Sequence, residues 1–215
     1  MSSFFGDIEI KKEQVDAIEA QTIVEGSSIW APGVYHVAID RAYTRKTDSG
    51  AKMFTVFFKD AANNNIMFST CVQSGNDKGN KSTYVSKEGK EKLLPGIEEV
   101  KRLFDAIKVE DPAGRLAKVD HFGTNIEVMA YPDLTGKQLM IGLRTEDNEY
   151  NGEIKVQNLF EAFITSDGKN AKGEDLLESL KTKIEKAPHK KSKQKSTPST
   201  PAADAGVAAT QGWGS

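Results

Sequence analysis

The sequence predicts a mainly β protein: a five-stranded barrel with one helix between its third and fourth strands, trailed by a disordered C-terminal tail. Three observations carry that expectation. Short alternating apolar runs recur from Gly33 to Phe163, separated by glycine turns. A single helical period interrupts them, at Ile97, Val100, Leu103, Phe104 and Ile107. From Ala187 to Ser215 the chain is dominated by Lys, Ser, Thr, Pro, Ala and Gly, a composition with almost nothing to bury.

Taken in order, Val15, Ala17 and Ile18 give the N-terminal extension the pattern of a short amphipathic helix, and Trp30-Ala31-Pro32-Gly33 reads as a turn. In the first strand Tyr35, Val37 and Ile39 share one face, because successive side chains alternate across a strand. The strand runs on to Arg45 and the Asp48-Ser49-Gly50 hairpin turn. The second strand sets Phe54, Val56 and Phe58 against Met53, Thr55 and Phe57. After the Asp60 to Asn65 turn, the third aligns Ile66, Phe68, Thr70 and Val72. A polar, lysine-bearing loop spans Ser74 to Lys92, and Pro95-Gly96 opens the helix that Asp111-Pro112 closes. Ile126, Val128 and Ala130 then mark a strand, Leu139, Ile141 and Leu143 the next, and Ile154, Val156 and Leu159 the last. Short strands with one helix after the third are the plan of an oligonucleotide-binding barrel, the OB fold. Leu176, Leu177, Leu180 and Ile184 add a short helix after Gly173. The expected division is therefore an extension at 1–30, the barrel at 31–165, a helical segment at 166–186 and the tail at 187–215.

Composition narrows the function. The 215 residues include one cysteine, Cys71, so neither an intramolecular disulfide nor a cysteine-based zinc cage is available. Its apolar strand setting reads as a small buried or half-buried thiol. No basic-then-apolar leader is visible, and no apolar run approaches the roughly 20 residues of a membrane helix, so the expectation is a soluble, cytoplasmic protein without membrane contact. Net charge is −2, unevenly spread. Residues 181–215 carry seven lysines against Glu185 and Asp204, leaving 22 basic and 29 acidic side chains in residues 1–180. An acidic body is unlike a duplex binder, which neutralises many phosphates. A single-strand binder needs only a local basic groove, because base stacking contributes to affinity.

Signatures of catalysis are missing. His36, His121 and His189 have no metal-type spacing, and a lone strand histidine reads as structural. Gly75-x-x-x-Gly79 lacks the Gly-Lys-Ser/Thr ending of a phosphate loop, and Gly79-Asn80-Lys81-Ser82 lies outside a strand-loop-helix setting. Carboxylates are plentiful, but no pair stands out for acid–base work. The expectation is a non-enzyme that needs no cofactor and no metal.

What remains is aromatic and basic residues interleaved along strands and loops. Tyr43, Arg45 and Lys46 end the first strand; Lys52, Phe57 and Lys59 belong to the second; Lys78, Lys81, Tyr84 and Lys87 populate the long loop. This is what single-stranded nucleic acid requires, since bases stack on aromatic faces while cations track the backbone. In that reading Tyr43, Phe57 and Tyr84 stack bases, Arg45, Lys46, Lys52 and Lys59 hold phosphates, and the loop closes over the strand. The same residues admit a structural reading, in which the aromatics pack on neighbours and the lysines keep a loop soluble. Trp30 reads as an anchor for the N-terminal segment. The rival expectation is thus an interaction or structural module on the same barrel.

Pro32-Gly33-x-Tyr35-x-Val37-x-Ile39, the Thr47-x-Ser49-Gly50 turn before Met53-Phe54, the lysine-bearing loop followed by a leucine-rich helix before the fourth strand, and Glu149-Tyr150-Asn151-Gly152 form a set. On that set, residues 31 to 163 resemble a bacteriophage single-stranded DNA-binding protein with an OB fold. The resemblance implies a replication or recombination accessory that coats unwound strands without sequence preference in the host cytoplasm. Such proteins often end in an acidic tail with a terminal aromatic that recruits replication partners. Here the tail holds only Asp204 as an acid and ends Gln211-Gly212-Trp213-Gly214-Ser215, so Trp213 is its one aromatic hook. Oligomeric state stays open.

Overall fold

Alternation does most of the work. β1 (Gly33–Lys46) sends Tyr35, Val37 and Ile39 inward, and a bulge between Ile39 and Arg41 then resets the phase so that Ala42 and Thr44 follow them. Without that extra residue, Arg41, Tyr43 and Arg45 would face the core instead. β2 (Lys52–Lys59) contributes Phe54, Val56 and Phe58, and β3 (Asn65–Gln73) Ile66, Phe68 and Val72, all buried in one cluster. Each buried side chain of this size contributes roughly 1.5–3 kcal/mol. The computed structural model describes residues 29–191 apart from 122, 151, 152 and 171, and apart from the side chain of residue 150. The expected N-terminal helix and Trp213 lie outside the described residues.

Between β3 and the helix stand two short strands, β4 (Thr83–Val85) and β5 (Glu91–Leu93), paired with each other. Helix α1 (Pro95–Ile107) begins with proline at its first turn, where no intrahelical N–H is needed, and ends at Lys108 in the left-handed conformation. Its Val100, Leu103, Phe104 and Ile107 bury against the sheet, with Phe104 edge-on to Phe54 at 5.9 Å. Gly96 sits against the carbonyl of Cys71, where a Cβ would come within 2.2 Å of the oxygen. Then follow β6 (Arg115–His121), β7 (Thr124–Ala130), β8 (Gln138–Tyr150) and β9 (Glu153–Thr165). Helix α2 (Leu177–Lys186) packs Leu180 and Ile184 onto Met140 and Ile164, behind the sheet.

Ten strands are thus present among the described residues, not five, and the protein is mainly β. β3, β2, β1, β8 and β9 neighbour one another in that order, and β1 turns part of its β8-side edge over to β7 at Tyr43 and Thr44. The expected closed barrel is corrected: the sheet is open. β3 and β9 curl toward each other without hydrogen-bonding, and Phe68 meets Phe160 and Phe163 with ring centroids 5.1 Å apart in each pair. A bulge opposite Gly142 and Leu143 lets Phe160 and Phe163 both face inward despite their three-residue spacing. Part of the span expected as tail, residues 189–190, is in the sheet. β10 (His189–Lys190) adds in parallel to β8, and Lys190 reaches Glu146 at 3.0 Å. No helix among the described residues is long and apolar enough to cross a membrane.

Candidate nucleic-acid interface

The outward face of β1, β2 and β3 carries three cross-strand rows: Arg41–Phe57–Met67, Tyr43–Thr55–Ser69 and Arg45–Met53–Cys71. Most of the predicted residues lie on or beside them, but the rows differ sharply in access. β6 and β7 fold across the first two rows. Ile126 and Val128 of β7 and Val119 of β6 pack on Tyr43 and Phe57 to form a second apolar cluster. The Tyr43 hydroxyl is hydrogen-bonded to Nδ1 of His121, and the guanidinium of Arg41 lies 4.0 Å over the Phe57 ring. Tyr43 and Phe57 are 0% and 5% exposed. Their expected role as stacking platforms is therefore corrected: in this conformation both rings are core, covered by a hairpin some 60 to 80 residues downstream.

Burial governs the chemistry of that cluster. Desolvation first, then the positive charges of Arg45 and Arg41, push the His121 pKa down to about 4, and desolvation raises that of Tyr43. His121 is thus neutral near pH 7, whereas an unfolded chain would protonate it near pH 6.5. Because the folded pKa is the lower one, this contribution is complete above pH 6.5 and is lost as pH falls toward 4. After discounting for solvent screening, acidification from pH 7 to pH 4 should cost on the order of 2 kcal/mol at this site. Urea unfolding at several pH values checks it: His121→Gln, which can still accept from Tyr43, should flatten that part of the profile.

Lys59 stands at the far end of β2, with its Nζ 2.6 Å from Asp40, which also holds Arg41 at 2.6 Å. It does not join the other predicted cations, and its charge is matched locally. This too corrects the expected groove.

The remaining residues collect at the opposite end of the sheet. Lys46 pairs with Lys52 across the β1–β2 hairpin, one position beyond the Arg45–Met53 pair and on the other face of the strands. Arg45 Nε and Nη1 are buried with no hydrogen-bond partner among the described residues. Beside the Arg45–Met53–Cys71 row opens a cleft of about 570 Å³, lined by Lys78, Lys81 and Tyr84 together with Cys71, Ser74 and Leu94. The cleft wall is stapled to the strands. Asn76 N donates to the carbonyl of Ser49 at 2.7 Å, and Ser74 N donates to that of Lys81 at 2.9 Å. Lys81 N donates back to Ser74 Oγ at 2.8 Å, and Gln73 Nε2 donates to the carbonyl of Asn80 at 2.6 Å. A loop that reads from sequence as polar and featureless is thus fixed by its backbone groups to the β1–β2 turn.

Tyr84 projects from β4 and is 42% exposed, alongside the exposed Val85 and Leu93. Lys87 occupies the exposed turn beyond β4, where Lys90 lies 3.8 Å from Glu88. The site that emerges joins a flat aromatic face, small polar groups, the cations of Lys78 and Lys81, and the carboxylates of Asp77 and Glu91. Sequence reasoning did not single out Ser74, Val85 and Leu94 as parts of it. The alternation in Thr83-Tyr84-Val85 and the turn-forming Gly89 were the available signals. In comparisons with known proteins, no family model and no curated protein matches this chain.

Proposed function

We propose that this protein binds single-stranded DNA without sequence preference, coating unwound strands during phage replication or recombination, on an OB-type sheet whose β3 and β9 edges are not hydrogen-bonded to each other. The observation that supports this most is the convergence of Lys78, Lys81 and Tyr84 on one cleft that Cys71, the β3 member of the Arg45–Met53–Cys71 row, also lines. The strand backbone lies across the β1–β2 hairpin end and a base stacks on Tyr84. The chemistry is binding alone, with no bond made or broken. Partner recruitment through the tail would rest on Trp213.

The test is fluorescence anisotropy of a labelled oligothymidine. Phosphate contacts by Arg45, Lys46, Lys78 and Lys81 give a slope of log K against log salt of about −2.8, since each contact contributes about −0.7 on single strands. Affinity should then fall about 50-fold between about 50 and 200 mM salt. Binding that ignores salt, or no binding at low salt, sinks the proposal. A second reading, an interaction module with no nucleic-acid role, draws support from the burial of Tyr43 and Phe57 and the pairing of Lys59 with Asp40. It would take over on that negative result.

A further inference from the structure

Two long sheet edges, those of β3 and β9, have no hydrogen-bonded neighbour on their outer sides among the described residues. Such edges are templates for another strand. They face one another across a cleft of about 580 Å³, with Ile66, Phe68, Val156 and Phe160 among its lining residues. Ile29, the first described residue, lines this cleft too and is largely exposed. The residue after it is held firmly. Trp30 N donates to Oδ1 of Asn158 at 2.9 Å, and Asn158 Nδ2 donates to the carbonyl of Trp30 at 2.8 Å. One amide side chain on β9 thereby makes both halves of a strand-like pairing, and the Trp30 ring packs edge-on to Tyr35 at 4.9 Å. The 28 residues before Ile29 consequently start from the wall of the cleft.

Thr22-Ile23-Val24 is the one run of three β-branched residues in that segment, and β-branched residues favour strands. From Val24 to Ile29 the chain is five residues long and reaches at most about 17 Å. The run is therefore tethered within reach of the cleft at high effective concentration. Glu25-Gly26-Ser27-Ser28 between them supplies small and flexible residues for the approach.

We propose that the cleft between β3 and β9 is the docking site of this chain's own N-terminal segment, with Thr22–Val24 added as a further strand that satisfies the open edges. Ile23 and Val24 supply the apolar contact that the exposed Ile29 and Val156 lack in its absence. The occupant is in cis because the tether fixes it there at any protein concentration, which a second copy would not match.

Hydrogen–deuterium exchange on the full-length chain tests it. In the wild type, backbone amides of β3 and β9 should exchange slowly, at rates independent of protein concentration. The double substitution Ile23→Asp with Val24→Asp should speed exchange in both edges at least tenfold while β1 and β2 stay protected. Rapid exchange of both edges in the wild type overturns the proposal without any variant, as does unchanged protection in a variant whose β1 and β2 remain protected. Edge protection that is lost on dilution, together with a doubled mass by light scattering, overturns it in favour of a second copy. DNA affinity is not part of the readout, so failure here leaves the proposed function standing.

Discussion

Replacing Lys78 and Lys81 by glutamate and Tyr84 by alanine in one chain should weaken oligothymidine binding about 100-fold at low salt. The parts separate cleanly. Losing two phosphate contacts should flatten the salt slope by about 1.4, because each is worth about 0.7 on a single strand. Losing a stacked base should cost about 1–3 kcal/mol and leave that slope untouched. Tyr84→Ala alone is thus expected to shift the binding curves at every salt concentration by a similar factor. Lys78→Glu with Lys81→Glu should instead bring the low-salt and high-salt curves together. Since Tyr84 and both lysines are exposed, none of these changes should alter the urea midpoint appreciably. If all three substitutions leave affinity unchanged, the cleft is not the interface, whatever else the protein binds.

Gly96→Ala should destabilise the protein by about 3 kcal/mol, the upper range for overpacking a tight contact. The added Cβ would sit 2.2 Å from the carbonyl oxygen of Cys71 and 2.5 Å from Oγ1 of Thr70. The carbonyl belongs to the β3 backbone, so it cannot swing aside as the end of a long side chain could. The first turn of α1 would have to lift off β3, loosening Val100 and Phe104 from Phe54 and its neighbours. Gly89 provides the contrast. Its φ of +76° disfavours a side chain, but nothing lies within 4 Å of the added atom, so Gly89→Ala should cost only about 1 kcal/mol. Urea unfolding of both variants decides the matter: equal losses would mean that the close seat of α1 on β3 is not what Gly96 provides.

The first half of the fold was legible because each element there obeys one period over most of its length, β1 as far as its bulge at Ile39. The inward faces of β1, β2 and β3, and the buried stripe of α1, match the alternating and helical spacings read from Tyr35 to Ile107. β6 escaped notice because Arg115-Leu116-Ala117-Lys118-Val119-Asp120-His121 leaves Leu116 exposed and offers only Ala117 and Val119 as weak apolar marks. That miss propagated to the site. Nothing near Tyr43 in sequence says that Val119, His121, Ile126 and Val128 will cover it, since the cover is a tertiary contact. Lys59 was misplaced for a related reason: a strand eight residues long carries its two ends apart, so Lys52 and Lys59 cannot serve one small groove unless the ligand runs along the strand. Lys78, Lys81 and Tyr84 were found together because they are close in sequence as well as in space. The bulge after Ile39 left no simple mark, yet it decides which side of β1 carries Arg41 and Arg45.

The placement of β1 also bears on how the chain is made. Its C-terminal half pairs with β2 through a tight turn, so Arg45 meets Met53 almost as soon as both exist. Its N-terminal half waits for β8, where Val37 pairs with Leu139, about 100 residues later. At synthesis rates of about 5–20 residues per second, the Gly33 to Ala38 edge emerges from the ribosome about 5–20 s before its partner. For that interval the nascent three-stranded meander carries an unsatisfied apolar edge, and the final sheet is assembled only once β8 and β9 have emerged.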